Sequence, residues 1–326
     1  MTADRLVSPL QSRLIEDLQR GFPIVPAPFA AVARRFDVTE ASVIEAIADL
    51  VARGLATRLG AIVRPNTAGA STLAALACAP GEVERFGRLL SMEACVTHNY
   101  AREHAVLPLW FVVTGANRLA VDAALRRIRE RSRRRVFSFP LGREFRIDLG
   151  FGTDPGARDL ARDPTAPAVD VLPIDRRILA AIENGLPLVA APYARLAADL
   201  GFAETTVRRR LAGLLLGGVV KRLGLVVRHR SLGFEANAMV VFDPGACPVE
   251  DLAQRFLASP AVTLLYARRP EPSVWPYRLY AMIHGRERVE VLAEVDRLVA
   301  LAGAPLRHEV LFSTRCFKQT GARLSA

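Results

Sequence analysis

Long hydrophobic runs, paired cysteines and lysines are scarce in this 326-residue chain. No stretch of about 18 consecutive apolar residues occurs, which excludes an ordinary transmembrane helix. The N-terminus carries Asp4 and Glu16 and lacks the hydrophobic core of a signal peptide. The four cysteines are scattered and form no CxxC pair, which argues against a disulfide framework or a zinc site. We therefore expect a cytoplasmic protein with no membrane partner.

Arginine supplies nearly all the positive charge, because Lys221 and Lys318 are the only lysines. The formal net charge is +11, and the excess is spread over both halves of the chain. Such a balance indicates a polyanionic partner, either nucleic acid or a small molecule with many carboxylates or phosphates. An alanine- and arginine-rich composition can also reflect genomic base composition, so the charge alone does not identify the partner.

The chain is a tandem duplication. The segment GFPIVPAPFAAVARRFDVTEASVIEAIADLVARGLATRLGAIVR begins at Gly21, and GLPLVAAPYARLAADLGFAETTVRRRLAGLLLGGVVKRLGLVVR begins at Gly185. The two align without a gap at an offset of 164 residues. Further on, VTHNYAR at 96–102 matches VTLLYAR at 262–268, and FPLGREFR at 139–146 matches FSTRCFK at 312–318. A period this long indicates two copies of a whole domain pair.

Each repeat begins with three short helices and a ribbon, and continues with alternating strands and helices. The helical part is typical of a winged helix-turn-helix. The order βαββαβ that follows is typical of a ferredoxin-like domain, an antiparallel sheet with helices on one face. The predicted fold class is therefore α+β. The predicted domains are helix-turn-helix at 1–68 and 174–232, ferredoxin-like at 69–153 and 233–326, and a linker at 154–173.

The stretch VTHNYAREHAVLPLWF, residues 96–111, holds two of the five histidines. Strand alternation gives His98, Tyr100 and Arg102 a common face, and it aims His104 at the same face unless the chain bends near Glu103. Such a row fits a ligand-binding wall better than a dry core. The alternatives stay open: a core position for His98, an exposed loop for His104 and a solvated sheet edge for Arg102.

A helix-turn-helix followed by a βαββαβ domain resembles the Lrp/AsnC family of amino-acid-responsive regulators. Five motifs resemble the siroheme decarboxylases in particular. They are VTHNYAREH and LWFVV in the first repeat, and RLGLVVRHRSLGFEANAMVVF, WPYRLYAMIHG and FSTRCFKQTGAR in the second. The resemblance implies two Lrp-like halves that pair through their sheets and convert siroheme to didecarboxysiroheme. The fused order of the halves resembles the denitrifier type, which feeds haem d1 biosynthesis.

The resemblance also implies site residues. His98 and His104 are the expected catalytic residues, with His98 as proton donor or as axial ligand to the substrate iron. Guanidinium groups suit the carboxylates of siroheme. The expected substrate-binding residues are Tyr100, Arg102, Tyr266, Arg268, Trp275, Arg315 and Lys318. The macrocycle can accept the released electrons, so no cofactor is expected beyond the iron in the siroheme substrate. Leu264 stands where the first repeat has His98, so the halves are not expected to be equivalent.

Several positions also have a plainer interpretation. Trp275, Tyr277 and Tyr280 follow the pattern of aromatic core residues in strands. His284, in MIHG, is predicted to end a strand and is a weaker candidate for the site.

The rival function is transcriptional regulation. Specific readout needs a recognition helix that carries base-reading side chains into the major groove. The first repeat offers a helix with Glu40, Glu45 and Asp49 and no cation before Arg53, whereas the second has three arginines at 208–210. Since phosphate repels acidic groups, DNA is not the expected partner. The expected partners are siroheme and the other half of the same chain, and a further homodimer is left open.

Overall fold

A computed structural model describes residues 7–19, 21–147, 169–228 and 234–321. Most of the predicted linker, 154–173, lies outside these residues. The first repeat contains α1 (Pro9–Leu18), α2 (Pro28–Phe36), α3 (Glu40–Ala52), β1 (Ala56–Val63), β2 (Ala70–Leu76), α4 (Val83–Met92), β3 (Val96–Arg102), β4 (Leu109–Gly115), α5 (Arg118–Ser132), β5 (Val136–Phe139) and β6 (Leu141–Ile147). No helix in the described ranges is long and apolar enough to cross a bilayer.

The second repeat follows the same order. It contains α6 (Pro173–Ala181), α7 (Pro192–Leu200), α8 (Glu204–Leu216), β7 (Val220–Val227), β8 (Ala236–Asp243), α9 (Val249–Phe256), β9 (Val262–Arg268), β10 (Leu279–Gly285), α10 (Arg288–Ala302) and β11 (Arg307–Gln319). The predicted α+β class is confirmed. The described residues form two compact units, each drawn from both repeats. The helical unit holds α1–α3, β1, α6–α8 and β7, and the sheet unit holds the other elements.

Polar caps begin two helices of the helical unit, α1 and α3. The Ser8 hydroxyl accepts from the Gln11 backbone N–H, and the Gln11 side chain accepts in return from the Ser8 N–H, which begins α1 with a capping box. The Thr39 hydroxyl caps α3 through the Ser42 N–H at 3.1 Å. The apolar faces of the six helices then share one core that includes Leu14 and Tyr193.

The ribbon after each third helix is a single strand, and the two strands pair with each other. β1 and β7 run antiparallel, with Gly60 opposite Gly224. A Cβ at Gly224 would lie 2.3 Å from the Leu18 carbonyl oxygen, so the close approach of α1 requires glycine there. The wing predicted for each repeat is therefore shared between the two.

The sheet unit has nine antiparallel strands in the order β5-β2-β4-β3-β11-β8-β10-β9-β6. The last strand segment of each repeat pairs with a strand of the other repeat. β6 of the first pairs with β9 of the second, and residues 313–319 of β11 pair with β3 of the first. The outermost strands, β5 and β6, are consecutive in the chain, with only Pro140 between them. The sequence predicted neither β6 as a separate strand nor this exchange.

Each half of the sheet is covered on one side by its own two helices, α4 and α5 or α9 and α10. The opposite faces of the two halves share an apolar cluster. This cluster includes Trp110, Phe139, Trp275, Tyr280 and Leu311. The repeats thus pair through their sheets, as predicted, and we call the shared side the inner face.

Candidate active site

A β-bulge sets the direction of the side chains on β3. Val96 belongs to the helix-side core, and the ladder with β4 shifts register between Val96 and His98. An extra residue in a strand turns the following side chains over. Asn99 then faces α4, where its amide donates to the Gly87 carbonyl at 2.7 Å. His98, Tyr100 and Arg102 consequently take the other side and lie on the inner face, as strand alternation predicted.

Burial along the inner face is uneven. Its centre is closed by aromatic rings, and Trp110 and Trp275 are each only 1% exposed. Nearer the start of β3 and β9, the inner-face side chains are only half-buried. These are His98, Tyr100, Val112, Leu264, Tyr266, Met282 and His284. A ligand can therefore reach the inner face at these positions, and both repeats present a histidine there.

Matching threonines hold the two histidines. His98 Nδ1 lies 3.1 Å from the Thr97 hydroxyl, and His284 Nδ1 lies 3.0 Å from the hydroxyl of Thr263. Thr97 and Thr263 occupy equivalent places in VTHNYAR and VTLLYAR. The first repeat thus places its histidine on β3, whereas the second uses the neighbouring strand β10. Aligning the repeats places Leu264 opposite His98, so the sequence left His284 as a weaker candidate.

The protonation of His284 follows from its surroundings. The Thr263 hydroxyl donates to the Met282 carbonyl at 3.1 Å, so it must accept from His284 Nδ1–H. Burial and the charge of Arg102 lower the pKa of His284 to about 4. At neutral pH the ring is therefore uncharged and carries its lone pair on Nε2, as an iron ligand or a base requires.

Two arginines, Arg102 (buried) and Arg268 (half-buried), cross between the repeats in equivalent ways. Arg102 Nη1 donates to the Leu311 carbonyl at 3.1 Å, and Arg268 Nη1 donates to the Phe139 carbonyl at 2.9 Å. Each guanidinium also lies near a tyrosine ring of its own strand, Tyr100 at 5.5 Å or Tyr266 at 5.3 Å. Burial lowers the pKa of Arg268. Each cation thus binds a backbone carbonyl of the other repeat and lies near a tyrosine ring of its own repeat.

His104 is placed differently from His98. β3 ends at Arg102, so His104 lies in the following loop rather than on a continuing strand. Its Nδ1 accepts from the backbone N–H groups of Val106 and Leu107, and its Nε2 lies 3.3 Å from the Glu309 carboxylate. Both ring nitrogens therefore bind protein groups.

Trp275 and its neighbour Tyr277 lie in the loop before β10. The Trp275 ring packs against Trp110 at 5.1 Å in the centre of the inner face. The Tyr277 hydroxyl donates to Glu309 at 2.6 Å, and burial together with this bond raises the pKa of Tyr277 to about 12. Tyr277 thus holds the Glu309 carboxylate of its own repeat, which contacts His104 of the first repeat.

Arg315 and Lys318 lie on the helix side, away from the inner face. Arg315 pairs with Glu84 of α4 at 2.7 Å, and Lys318 Nζ donates to the carbonyls of Ser91 and Glu93 at 3.0 and 2.9 Å. In the other repeat, Arg143 pairs with Glu250 of α9, and Arg146 donates to the carbonyls of residues 257, 259 and 262. These equivalent contacts fasten the exchanged strands.

The recognition helix of the second repeat uses two of its arginines internally. Arg208 pairs with Glu204 at 3.0 Å, and Arg210 forms a two-point ion pair with the fully buried Asp175 of α6. Arg209 is exposed. The first repeat has acidic residues on the equivalent helix, α3, so a matched pair of DNA-reading helices is not formed.

The fold and its domains define a class: two helix-turn-helix modules joined to two ligand-binding modules in one chain. Residues 11–55 and 175–220 match the family model of the siroheme decarboxylase NirDL-like HTH domain. Residues 68–146 and 231–318 match the AsnC-like ligand binding domain.

Full-length relatives narrow this class. The siroheme decarboxylase NirDL subunit of Paracoccus pantotrophus is 42% identical, over 96% of this chain and 96% of the relative. That of Paracoccus denitrificans (strain Pd 1222) is 40% identical, over 97% of each. The NirL subunit of Stutzerimonas stutzeri is 43% identical, over 46% of this chain and 87% of that subunit. This chain belongs to the siroheme decarboxylase NirDL family.

Solved structures share the whole fold. A crystal structure of the siroheme decarboxylase NirDL superposes with a TM-score of 0.69 at 22% identity, covering 97% of this chain and 94% of that chain. A second, solved in co-complex with an iron-uroporphyrin III analogue, has a TM-score of 0.68 at 23% identity, covering 96% and 94%.

Proposed function

We propose that this chain removes carbon dioxide from two acetate side chains of siroheme and yields didecarboxysiroheme, in the cytoplasm and on the route to haem d1. Membership of the NirDL family supports the reaction. The single structural observation that carries it is the inner face, where half-buried histidines lie on the same surface as an arginine from each repeat.

Each decarboxylation breaks one carbon–carbon bond. The carboxylate leaves as carbon dioxide, and the bonding electron pair stays on the substrate, delocalised between the methylene carbon and the macrocycle, until it forms the new carbon–hydrogen bond. The methylene carbon then takes one proton and becomes a methyl group. We assign His98 as the proton source, since a histidine at a half-buried position can hold and deliver a proton near neutral pH. Solvent restores the proton before the second acetate reacts.

The other inner-face residues have complementary tasks. His284 is neutral and has its lone pair on Nε2, so it suits ligation of the substrate iron better than proton donation. The guanidinium groups of Arg102 and Arg268 suit the carboxylates of the substrate, which bind such groups by charge-assisted hydrogen bonds. In this assignment both repeats contribute to one reaction, and His104 supports the loop instead of the chemistry.

The test combines siroheme binding with turnover. Siroheme added to the protein without oxygen should give a shifted absorption band and release of carbon dioxide. His98→Ala should bind siroheme but turn over roughly 10²-fold more slowly or worse, as for loss of a general acid. His308→Ala is the matched control, because His308 pairs with Phe242 of the helix-side core. A changed Soret band in bound His98→Ala would make His98 the iron ligand, and full turnover would refute its catalytic role.

A further inference from the structure

The nine-stranded sheet passes from one repeat to the other at two places. In the strand order, β11 lies between β3 of the first repeat and β8 of the second, and three strands separate it from β5 on one side and from β6 on the other. Because β5 and β6 are consecutive in the chain, the two edges of the sheet meet at Pro140, and the sheet closes on itself. We call these crossings the β11 joint, centred on Phe312, and the Pro140 joint.

The two joints are equivalent in position. The Phe312 carbonyl accepts from the Glu103 N–H at 2.9 Å, and the Pro140 carbonyl accepts from the Arg269 N–H at 3.1 Å. Glu103 and Arg269 each follow the arginine that ends their strand, β3 or β9. The residues of one joint can therefore be compared with those of the other position by position.

The strand is continuous at the β11 joint and interrupted at the Pro140 joint. Phe312 pairs with Ala238 in the ladder to β8 and is 4% exposed. Pro140 is half-buried and lies between β5, which ends at Phe139, and β6, which begins at Leu141. Proline has no N–H to donate to a ladder. The Pro140 joint therefore lacks the continuous pairing that stiffens β11.

An ion pair closes the β11 joint, whereas two like charges hold the equivalent positions at the Pro140 joint. Both carboxylate oxygens of Glu103 accept from Arg288, which begins α10, at 2.7 Å. The Arg288 guanidinium also lies 3.8 Å from the centre of the Phe312 ring. The equivalent residues at the other joint are Arg269 and Arg118, and Arg118 pairs within its own helix, α5. Two cations repel each other, so this joint cannot form the ion pair of its counterpart.

A second polar contact between the repeats also belongs to the β11 joint. His104 Nε2 lies 3.3 Å from the Glu309 carboxylate. The equivalent residues at the Pro140 joint are Pro270 and Phe137, whose side chains cannot form this contact. The continuous strand, the ion pair and this contact therefore all stabilise the β11 joint, and none of the three can form with the residues at the Pro140 joint.

We propose that the two halves of the sheet pivot about β11 and part at the Pro140 joint, which admits the macrocycle to the inner face. Parting breaks the hydrogen bond from Arg268 to the Phe139 carbonyl and frees this guanidinium. The equivalent bond from Arg102 to Leu311 lies at the β11 joint and stays closed. The parting follows from the residues of the two joints alone, and only its purpose rests on the proposed function.

Amide hydrogen exchange of the full-length protein without ligand, followed by NMR, tests the parting. The Glu103 and Arg269 amides donate to the two joints, so each is the control for the other. After correction for intrinsic rates, the Arg269 amide should exchange roughly tenfold faster or more. Arg269→Glu gives Arg118 the kind of partner that Arg288 has, and should slow this exchange about two- to fivefold, as for one well-formed surface ion pair. Adding Arg118→Gln should cancel the gain. Equal exchange at both joints of the wild type, or no slowing in Arg269→Glu, overturns the parting.

The association rate of a metal-free porphyrin octacarboxylate, measured by stopped-flow absorption, tests the purpose. Arg269→Glu should slow association by about the same factor as it slows exchange. The double variant with Arg118→Gln carries still less positive charge but lacks the new ion pair, so its association should recover. Association that slows further in the double variant would reflect lost electrostatic attraction and overturn admission at this joint.

The two proposals fail in different ways. If Arg269→Glu slows exchange but not association, the joint parts but does not admit the macrocycle, and the proposed function is untouched. A porphyrin that binds none of these proteins would contradict the proposed function, while the exchange difference between the joints would still support the parting.

Discussion

Among single residues, the threonine–histidine pairs relate sequence to chemistry most directly. Because the Thr263 proton is already donated to Met282, the His284 proton must sit on Nδ1. His98 contacts the equivalent threonine, Thr97, but it lies beside that threonine on β3, whereas His284 lies on the neighbouring strand β10. One duplicated threonine thus contacts a histidine in each repeat.

Stability should depend on pH through His284. Its pKa is lowered from an ordinary value near 6.5 to about 4. The unfolded chain therefore takes up a proton first, and this residue costs stability progressively as the pH falls from about 6.5 to about 4. Urea midpoints of the wild type should drop more between pH 7 and about pH 5 than those of His284→Gln, because glutamine does not titrate. Equal drops in both proteins would show that His284 is not held neutral.

Sequence reasoning succeeded for residues whose direction depends on strand alternation alone. His98, Tyr100 and Arg102 lie on one face, as predicted. It could not predict which way the Arg315 and Lys318 side chains point. The ladder between β3 and β11 shifts register twice in this segment, and these shifts turn both side chains toward α4. The direction of His104 depended on where β3 ends, which alternation does not fix. Bulges and strand ends are set by tertiary pairing, so a pattern of residue types cannot locate them.

At the scale of elements, the exchanged strands are fixed by the same three contacts in both repeats. An arginine pairs with the glutamate near the start of the opposite helix, and a basic residue binds carbonyls near the C-terminal end of that helix. Between them a phenylalanine, Phe145 or Phe317, packs on the helix-side core of the other repeat.

The individual helices and strands were predictable because their periodicity is local. The exchange was not, since β6 and the end of β11 pair with strands of the other repeat.

Gly87 is the contact where the two repeats differ. A Cβ there would lie 2.3 Å from the Phe317 ring, whereas α9 has Ala253 at the equivalent position. Gly87→Ala should therefore destabilise the protein by on the order of 1–3 kcal/mol through overpacking, despite the better helix propensity of alanine. Urea unfolding measures this cost.

A double mutant identifies the cause. Adding Phe317→Leu to Gly87→Ala makes room for the new methyl group and should recover part of the loss, which gives a coupling energy between the two positions. If the two substitutions are additive, the ring is not what excludes alanine from position 87.

At the scale of the whole molecule, neither repeat alone buries all of its apolar surface or covers all of its strand edges. The clusters of the helical unit and of the inner face both combine side chains from the two repeats. A repeat on its own would also leave unpaired the strand edges that β1 and β7, β3 and β11, or β9 and β6 now cover. Exposed edges of this kind associate with other strands.

The two halves produced as separate chains, 1–153 and 154–326, should therefore reassemble. A tag on one half should retain the other in equal amount, and the pair should decarboxylate siroheme. Either half alone should aggregate or pair with itself, because its edges and its share of the common cores are uncovered. Light scattering after size exclusion measures the masses.

Shortening the second half after residue 312 is the control. It keeps the part of β11 that pairs with β8 but removes the part that covers β3, so it should weaken reassembly. A half that stays monomeric, folds cooperatively and ignores its partner would show that the shared cores are not needed for stability.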